Sequence, residues 1–139
     1  MLELAREAVS VLGVFAEPAA LDALDAHRIA PDEAMVVGDP GAAPDVSVDD
    51  PQAVVLDATD GWTTYTLTGD GAREAFARLS ALRLPDEGFV QGDVVRVPTR
   101  VIVDGERLRI LVPAMWGEHV RARILARCAN LGVREVTPA

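Results

Sequence analysis

Between Trp62 and Val136 the hydrophobic positions change period from two to about 3.6 and back, and the changes outline a β-α-β-β-α-β unit. Trp62–Thr68 is rich in aromatic and β-branched residues, the composition of a strand. Period two puts Thr63, Tyr65 and Leu67 on one face, and Trp62, Thr64 and Thr66 on the other. Gly69 breaks the run. Asp70 then falls in the first turn of a helix whose apolar stripe is Ala72, Ala75, Phe76, Leu79 and Leu82, and Pro85 stops it. Pro85 to Gly88 reads as a loop, anchored by Phe89 and Val90. Two strands, Val94 to Val103 and Glu106 to Val112, flank Asp104-Gly105, a strong hairpin signal. The register expected of that turn sets Val101 opposite Leu108, Thr99 opposite Ile110 and Val97 opposite Val112. These six form the core face. Pro98 on the same strand argues for an edge position or a bulge. Pro113 opens a second helix with the stripe Trp116, Val120, Ile124, Cys128 and Leu131. Gly132 suits the left-handed residue that ends it, and Val133 to Val136 closes the unit as a strand.

The first 58 residues carry weaker patterns. Leu2, Ala5, Val9 and Leu12 fit one side of a short helix ending near Gly13. Pro18 starts another, carrying Leu21 and Leu24. Ala34–Val37, closed by Gly38, and Ala53–Ala58 read as strands, separated by a loop over Asp39–Pro51 that is rich in Pro, Gly and Asp. The expected class is α+β: one domain over 1–139, with a ferredoxin-like unit over 62–136 and an N-terminal helix/strand extension over 1–58.

Two helices on one face of four strands leave the other face open. That open face carries Arg96, Arg100, Ile102, Arg107, Arg109 and Leu111, with Trp62 beside them. Arg100 and Arg109 are expected as cross-strand neighbours, an arrangement that is destabilising unless something pairs with it. The plain reading is a solvated face with acids from the loops as partners. The sharper reading is a partner interface, because Trp and Arg are enriched there. Met115 and Trp116 at the start of the second helix make a further candidate patch, with Trp116 alternatively in the core.

Charge and composition narrow the functions. The 139 residues carry a net charge of −9, a field that opposes nucleic acid and anionic membranes. All basic residues are arginine, which removes a lysine Schiff base and a Walker-type lysine. No apolar run is long enough to span a membrane, and Met1 to Glu7 lacks the features of a signal peptide. The single cysteine forms no internal disulfide, and a cytoplasmic location is expected. Gly69-Asp70-Gly71 opens a helix after a strand, but Glu74 stands where the dinucleotide pattern has its third glycine, so a plain helix start is favoured. Asp45, Asp49 and Asp50 lack calcium-loop spacing. His27 and His119 have no second ligand three or four residues on. Ser10, Ser47 and Ser80 lack the nucleophile elbow, and Cys128 falls on an apolar stripe. No catalytic residue, cofactor-binding residue or metal ligand is assigned.

Three segments carry a family resemblance: Arg28–Gly38 (RIAPDEAMVVG), Trp62–Ala75 with its LTGDGARE core, and Leu111–His119 (LVPAMWGEH). Together they resemble the gamma subunit of heterotetrameric sarcosine oxidase, related to the folate-binding domain of aminomethyltransferases. The resemblance spans roughly Arg28 to Leu131. It implies a non-catalytic accessory subunit of a flavin-dependent amine-demethylating oxidoreductase, packed against one or more larger flavoprotein subunits. In that family FAD, FMN, NAD and tetrahydrofolate sit on the larger subunits, and this chain alone is expected to bind none. The alternative is a stand-alone regulatory domain that binds a folate-like anion on the arginine face. An enzyme in its own right is the least supported of the three.

Overall fold

A computed structural model of the chain describes residues 1–42 and 44–137. The fold is mixed α+β, and the chain separates into two compact units: Met1–Glu7 with Trp62–Ala139, and Ala8–Gly61. Ala43, within the expected Asp39–Pro51 loop, lies outside the described residues.

The larger unit is built on a six-stranded sheet. Its strands are β1 (Glu3–Glu7), β6 (Trp62–Thr68), β7 (Glu87–Val94), β8 (Val97–Asp104), β9 (Arg107–Pro113) and β10 (Arg134–Val136), in the order β10-β1-β6-β9-β8-β7. Every neighbouring pair is antiparallel except β1 with β10. Helices α2 (Ala72–Ala77) and α3 (Gly117–Arg127) complete the unit. One core joins Leu2, Leu4, Tyr65, Leu67, Phe76, Val101, Leu108, Ile110, Val120, Ile124 and Cys128.

Several expectations are corrected here. The first residues are strand, because Leu2 and Leu4 alternate into the core and β1 pairs along its length with β6. The helix expected over Leu2–Leu12 does not form, and β1 inserts between the first and last strands of the expected unit. Helix α2 ends at Ala77; Leu79 and Leu82 still reach the core from the irregular segment that follows. The expected strand Val94–Val103 is two strands meeting at Val95-Arg96. Both turn residues have positive φ, 44° and 68°, as a two-residue I′-type hairpin turn demands. Glu87 and Gly88 belong to β7 rather than to a loop.

The second hairpin turns on Gly105-Glu106, with Asp104 opposite Arg107. Its register is therefore shifted by two residues from the expected one: Val101 faces Ile110 and Val103 faces Leu108. A shift of two leaves every side chain on its expected face. Val97, Thr99, Val101, Leu108, Ile110 and Val112 are accordingly all buried. Pro98 lies where β8 pairs only with β7, beyond the last β8–β9 pair at Arg100. In the β7–β8 ladder it stands one pair away from the turn-closing Val94–Val97 pair, so its missing N–H points to the side with no partner strand.

The smaller unit has a four-stranded sheet in the order β3-β4-β2-β5. Its strands are β2 (Ser10–Phe15), β3 (His27–Ala30), β4 (Glu33–Gly38) and β5 (Val54–Asp57). Helix α1 (Pro18–Asp22) places Leu21 against Val14 and Ala34. The expected Pro18 helix start and the strands over 34–37 and 53–58 are all present.

Candidate functional site

The sheet face expected to be open is buried at its centre and half-buried elsewhere. On β6, Thr64 and Thr66 are buried on that face, and Leu111 on β9 is fully buried. Leu111 therefore does not belong to an accessible patch. The arginines of β9 are also engaged. Arg109 donates from Nε and Nη2 to the two carboxylate oxygens of Glu7, at 3.1 and 2.8 Å, and Arg107 Nη2 donates to Glu7 Oε1 at 2.9 Å. Glu7 thus sits between two cations whose side chains are 28% and 42% exposed, and it relieves their mutual repulsion. Arg100 stacks over the Trp62 ring, its Cζ 4.4 Å from the ring centroid. Across the sheet Arg100 faces Leu111, and Arg109 faces Ile102; the expected Arg100–Arg109 pairing does not occur. Ile102 is half-buried. Glu7 is not legible as their partner in the sequence, where the Leu2–Leu12 pattern puts it on a helix.

Glu7→Ala leaves two neighbouring guanidiniums without a counter-charge. We expect a loss of about 1–2 kcal/mol, because the lost bonds are charge-assisted but partly solvated. Urea denaturation in low and high salt checks this: the loss shrinks as salt rises, and a midpoint equal to that of the unaltered chain at low salt would refute the pairing.

Three further candidate residues are exposed and lie elsewhere. Met115 and Trp116, in a single 3-10 turn between β9 and α3, are 82% and 44% exposed, so Trp116 is not a core residue. The Trp116 ring stands edge-on to His119, their centroids 5.7 Å apart. Arg96 is exposed in the β7–β8 turn. Trp116, His119 and Arg96 line one groove of about 710 Å³, together with Val95, Arg123 and Arg127; Met115 does not line it.

An apolar surface that the sequence reading did not single out lies on the smaller unit. Edge strand β5 exposes Val54, Val55 and Leu56 at 48%, 43% and 52%, and Phe15, the partner of Val54 on β2, is 39% exposed. The signal was present in the sequence. Ala53 to Leu56 is an apolar run without the polar alternation of a half-buried strand.

The other candidate chemistry does not assemble. Among the described residues no group of three His, Cys, Asp or Glu side chains could hold a metal. Asp50 accepts hydrogen bonds from the backbone N–H groups of Glu17 and Gln52, which hold its carboxyl below the usual range, so it braces a loop. Cys128 is buried, its Sγ 3.6 Å from the Ala75 carbonyl, and burial pushes its thiol up. Tyr65 donates to the Gly117 carbonyl at 3.0 Å inside the core. Among the described residues no helix is long and apolar enough to cross a membrane.

No protein-family model matches the chain, and no curated protein matches its sequence. Among solved structures, a chain of the heterotetrameric sarcosine oxidase from Corynebacterium sp. U-96, in complex with pyrrole 2-carboxylate, is similar. The TM-score is 0.77 at 17% identity, over 97% of this chain and 87% of that one. This chain therefore shares the fold of a sarcosine oxidase subunit. A structural-genomics protein of Agrobacterium tumefaciens matches more loosely, with a TM-score of 0.47 at 16% identity over 99% of this chain and 94% of that one.

Proposed function

We propose that the chain is a non-catalytic accessory subunit of a heteromeric, flavin-dependent amine-demethylating oxidoreductase, similar to the gamma subunit of sarcosine oxidase. It docks on one or more larger flavoprotein subunits, which hold FAD, FMN, NAD and tetrahydrofolate. The observation that carries this reading is the exposed apolar run of β5. An edge strand with free N–H and C=O groups and with Val54, Val55 and Leu56 in water is a liability unless another polypeptide covers it. The likeness in fold to a subunit of a heterotetrameric oxidase supports the same reading.

Co-expression with a large flavoprotein subunit of the sarcosine oxidase type tests the assignment. The expected result is co-elution of the two in one peak with flavin absorbance and amine-dependent oxygen uptake, and none of either from this chain alone. Leu56→Asp, on an exposed strand, leaves the chain folded and breaks the co-elution. A chain that elutes as a monomer in the presence of that flavoprotein refutes the proposal.

A further inference from the structure

The groove between α3 and the β7–β8 turn has a charge opposite to that of the whole molecule. The chain carries −9, yet the groove is lined by Arg96, Arg123, Arg127 and His119, and by no carboxylate. Among the described residues, no hydrogen bond or ion pair engages the guanidiniums of Arg96, Arg123 or Arg127. Their neighbour Arg121, on another face of the same helix, is fully neutralised by Glu135 and Glu118 at 2.6 and 2.7 Å. The acids of this region are thus spent outside the groove.

The helix side of the groove breaks a local rule, and a tight turn faces it. His119, Arg123 and Arg127 fall four residues apart along α3, so they form one row, and Arg123 and Arg127 are like charges at i,i+4, which costs helix stability. Across the groove, the backbone holds Val95 at φ 44° and Arg96 at φ 68°, where a β-branched residue is strained and where glycine or asparagine is usual. The strained turn carries Arg96 to the groove that the α3 row also lines. Unpaired like charges that converge on one cavity point to a site selected for what it binds. The cavity, about 710 Å³, lies in the range of small-ligand sites. Trp116 on its wall is 44% exposed and offers an aromatic surface.

We infer that this groove binds a small organic polyanion bearing a flat ring: the arginines take its phosphates or carboxylates, and Trp116 packs against the ring. Arginine forks accept either anion. The inference goes beyond the docking reading and needs no partner. Titration calorimetry of the full chain in low salt, with ADP, benzene-1,3,5-tricarboxylate and pyrophosphate, tests it. At least one of the two ring-bearing probes is expected to bind roughly tenfold more tightly than pyrophosphate and to quench Trp116 fluorescence in a Trp62→Phe background. Which of the two binds tighter distinguishes a phosphate ligand from a carboxylate one. Arg127→Gln and Arg123→Gln, both at exposed positions, are each expected to weaken binding about tenfold. Arg121→Gln leaves it unchanged. Absence of heat and quenching with both ring-bearing probes at millimolar concentration, in a chain with an unaltered melting profile, overturns the inference. So does a loss in Arg121→Gln equal to that in Arg127→Gln, or a preference for pyrophosphate.

Discussion

Gly69→Ala is expected to destabilise the larger unit by about 3 kcal/mol, and to lower its Tm by roughly 10 °C. Two effects add. Gly69 has φ +102°, a conformation that an alanine adopts only under strain. A Cβ built there would stand 1.9 Å from the Met1 carbonyl oxygen and 2.9 Å from the Met1 carbonyl carbon. Both are backbone atoms, so no side chain can swing aside. Relief requires the start of β1 to move away from the end of β6. Leu2 and Leu4, both buried, would be drawn out with it. Because β1 lies between β6 and β10, its displacement disturbs the parallel and the antiparallel ladder together. Gly105→Ala is the control. It too has positive φ, +59°, but no atom lies within 4 Å of the added Cβ, so only the conformational cost remains, about 1 kcal/mol. Thermal melts followed by circular dichroism decide it. Equal shifts for the two variants would mean that the close approach of β1 to Gly69 is not a constraint.

The parts of the fold that were legible are those where period and local chemistry agree. β6 is found where the aromatic and β-branched run predicts it, and the inward face of β8 and β9 is the face that alternation assigns. That face survived an error in register, because a two-residue slip preserves period two. The Val95-Arg96 turn was not legible, since it contains none of the residues that favour positive φ and is imposed by the strands on either side. The misreading of β1 has a similar cause. Leu2, Ala5, Val9 and Leu12 match a helical stripe by chance, while the partner strands that decide the matter are about sixty residues or more away in sequence. Site legibility followed the same division. The hairpin arginines were identified from alternation alone, but the acid that neutralises two of them is a hundred residues distant. The groove at α3 brings together residues from separate segments, among them Val95–Arg96, Trp116 and the α3 row, and the sequence pattern assigns Arg96 and Trp116 to two different surfaces.

Phe76→Ala is expected to cost about 3–5 kcal/mol, the largest effect among the substitutions considered. Phe76 leads the fully buried side chains by volume, at 1% exposure. Its importance comes from the helix that carries it. Helix α2 has only six residues, no side-chain N-cap and a glycine at its N-cap position, so it has little stability of its own. Burial of Ala72, Ala75 and Phe76 is what holds it against the sheet. Truncating the ring leaves a cavity that two alanines cannot fill, and the segment through Leu79 to Leu84 loses its anchor with it. The single cysteine reports on this directly. Cys128 is fully buried, and its Sγ contacts the Ala75 carbonyl at 3.6 Å, so the thiol stays shielded while α2 is docked. In Phe76→Ala, modification of Cys128 by a maleimide under native conditions should run at least tenfold faster than in the unaltered chain, since destabilisation raises the open population. Phe76→Leu fills most of the volume and should fall between the two. Fast labelling in the unaltered chain, or no acceleration on truncation, would show that α2 does not cover the thiol and that the core beneath it is not organised around Phe76.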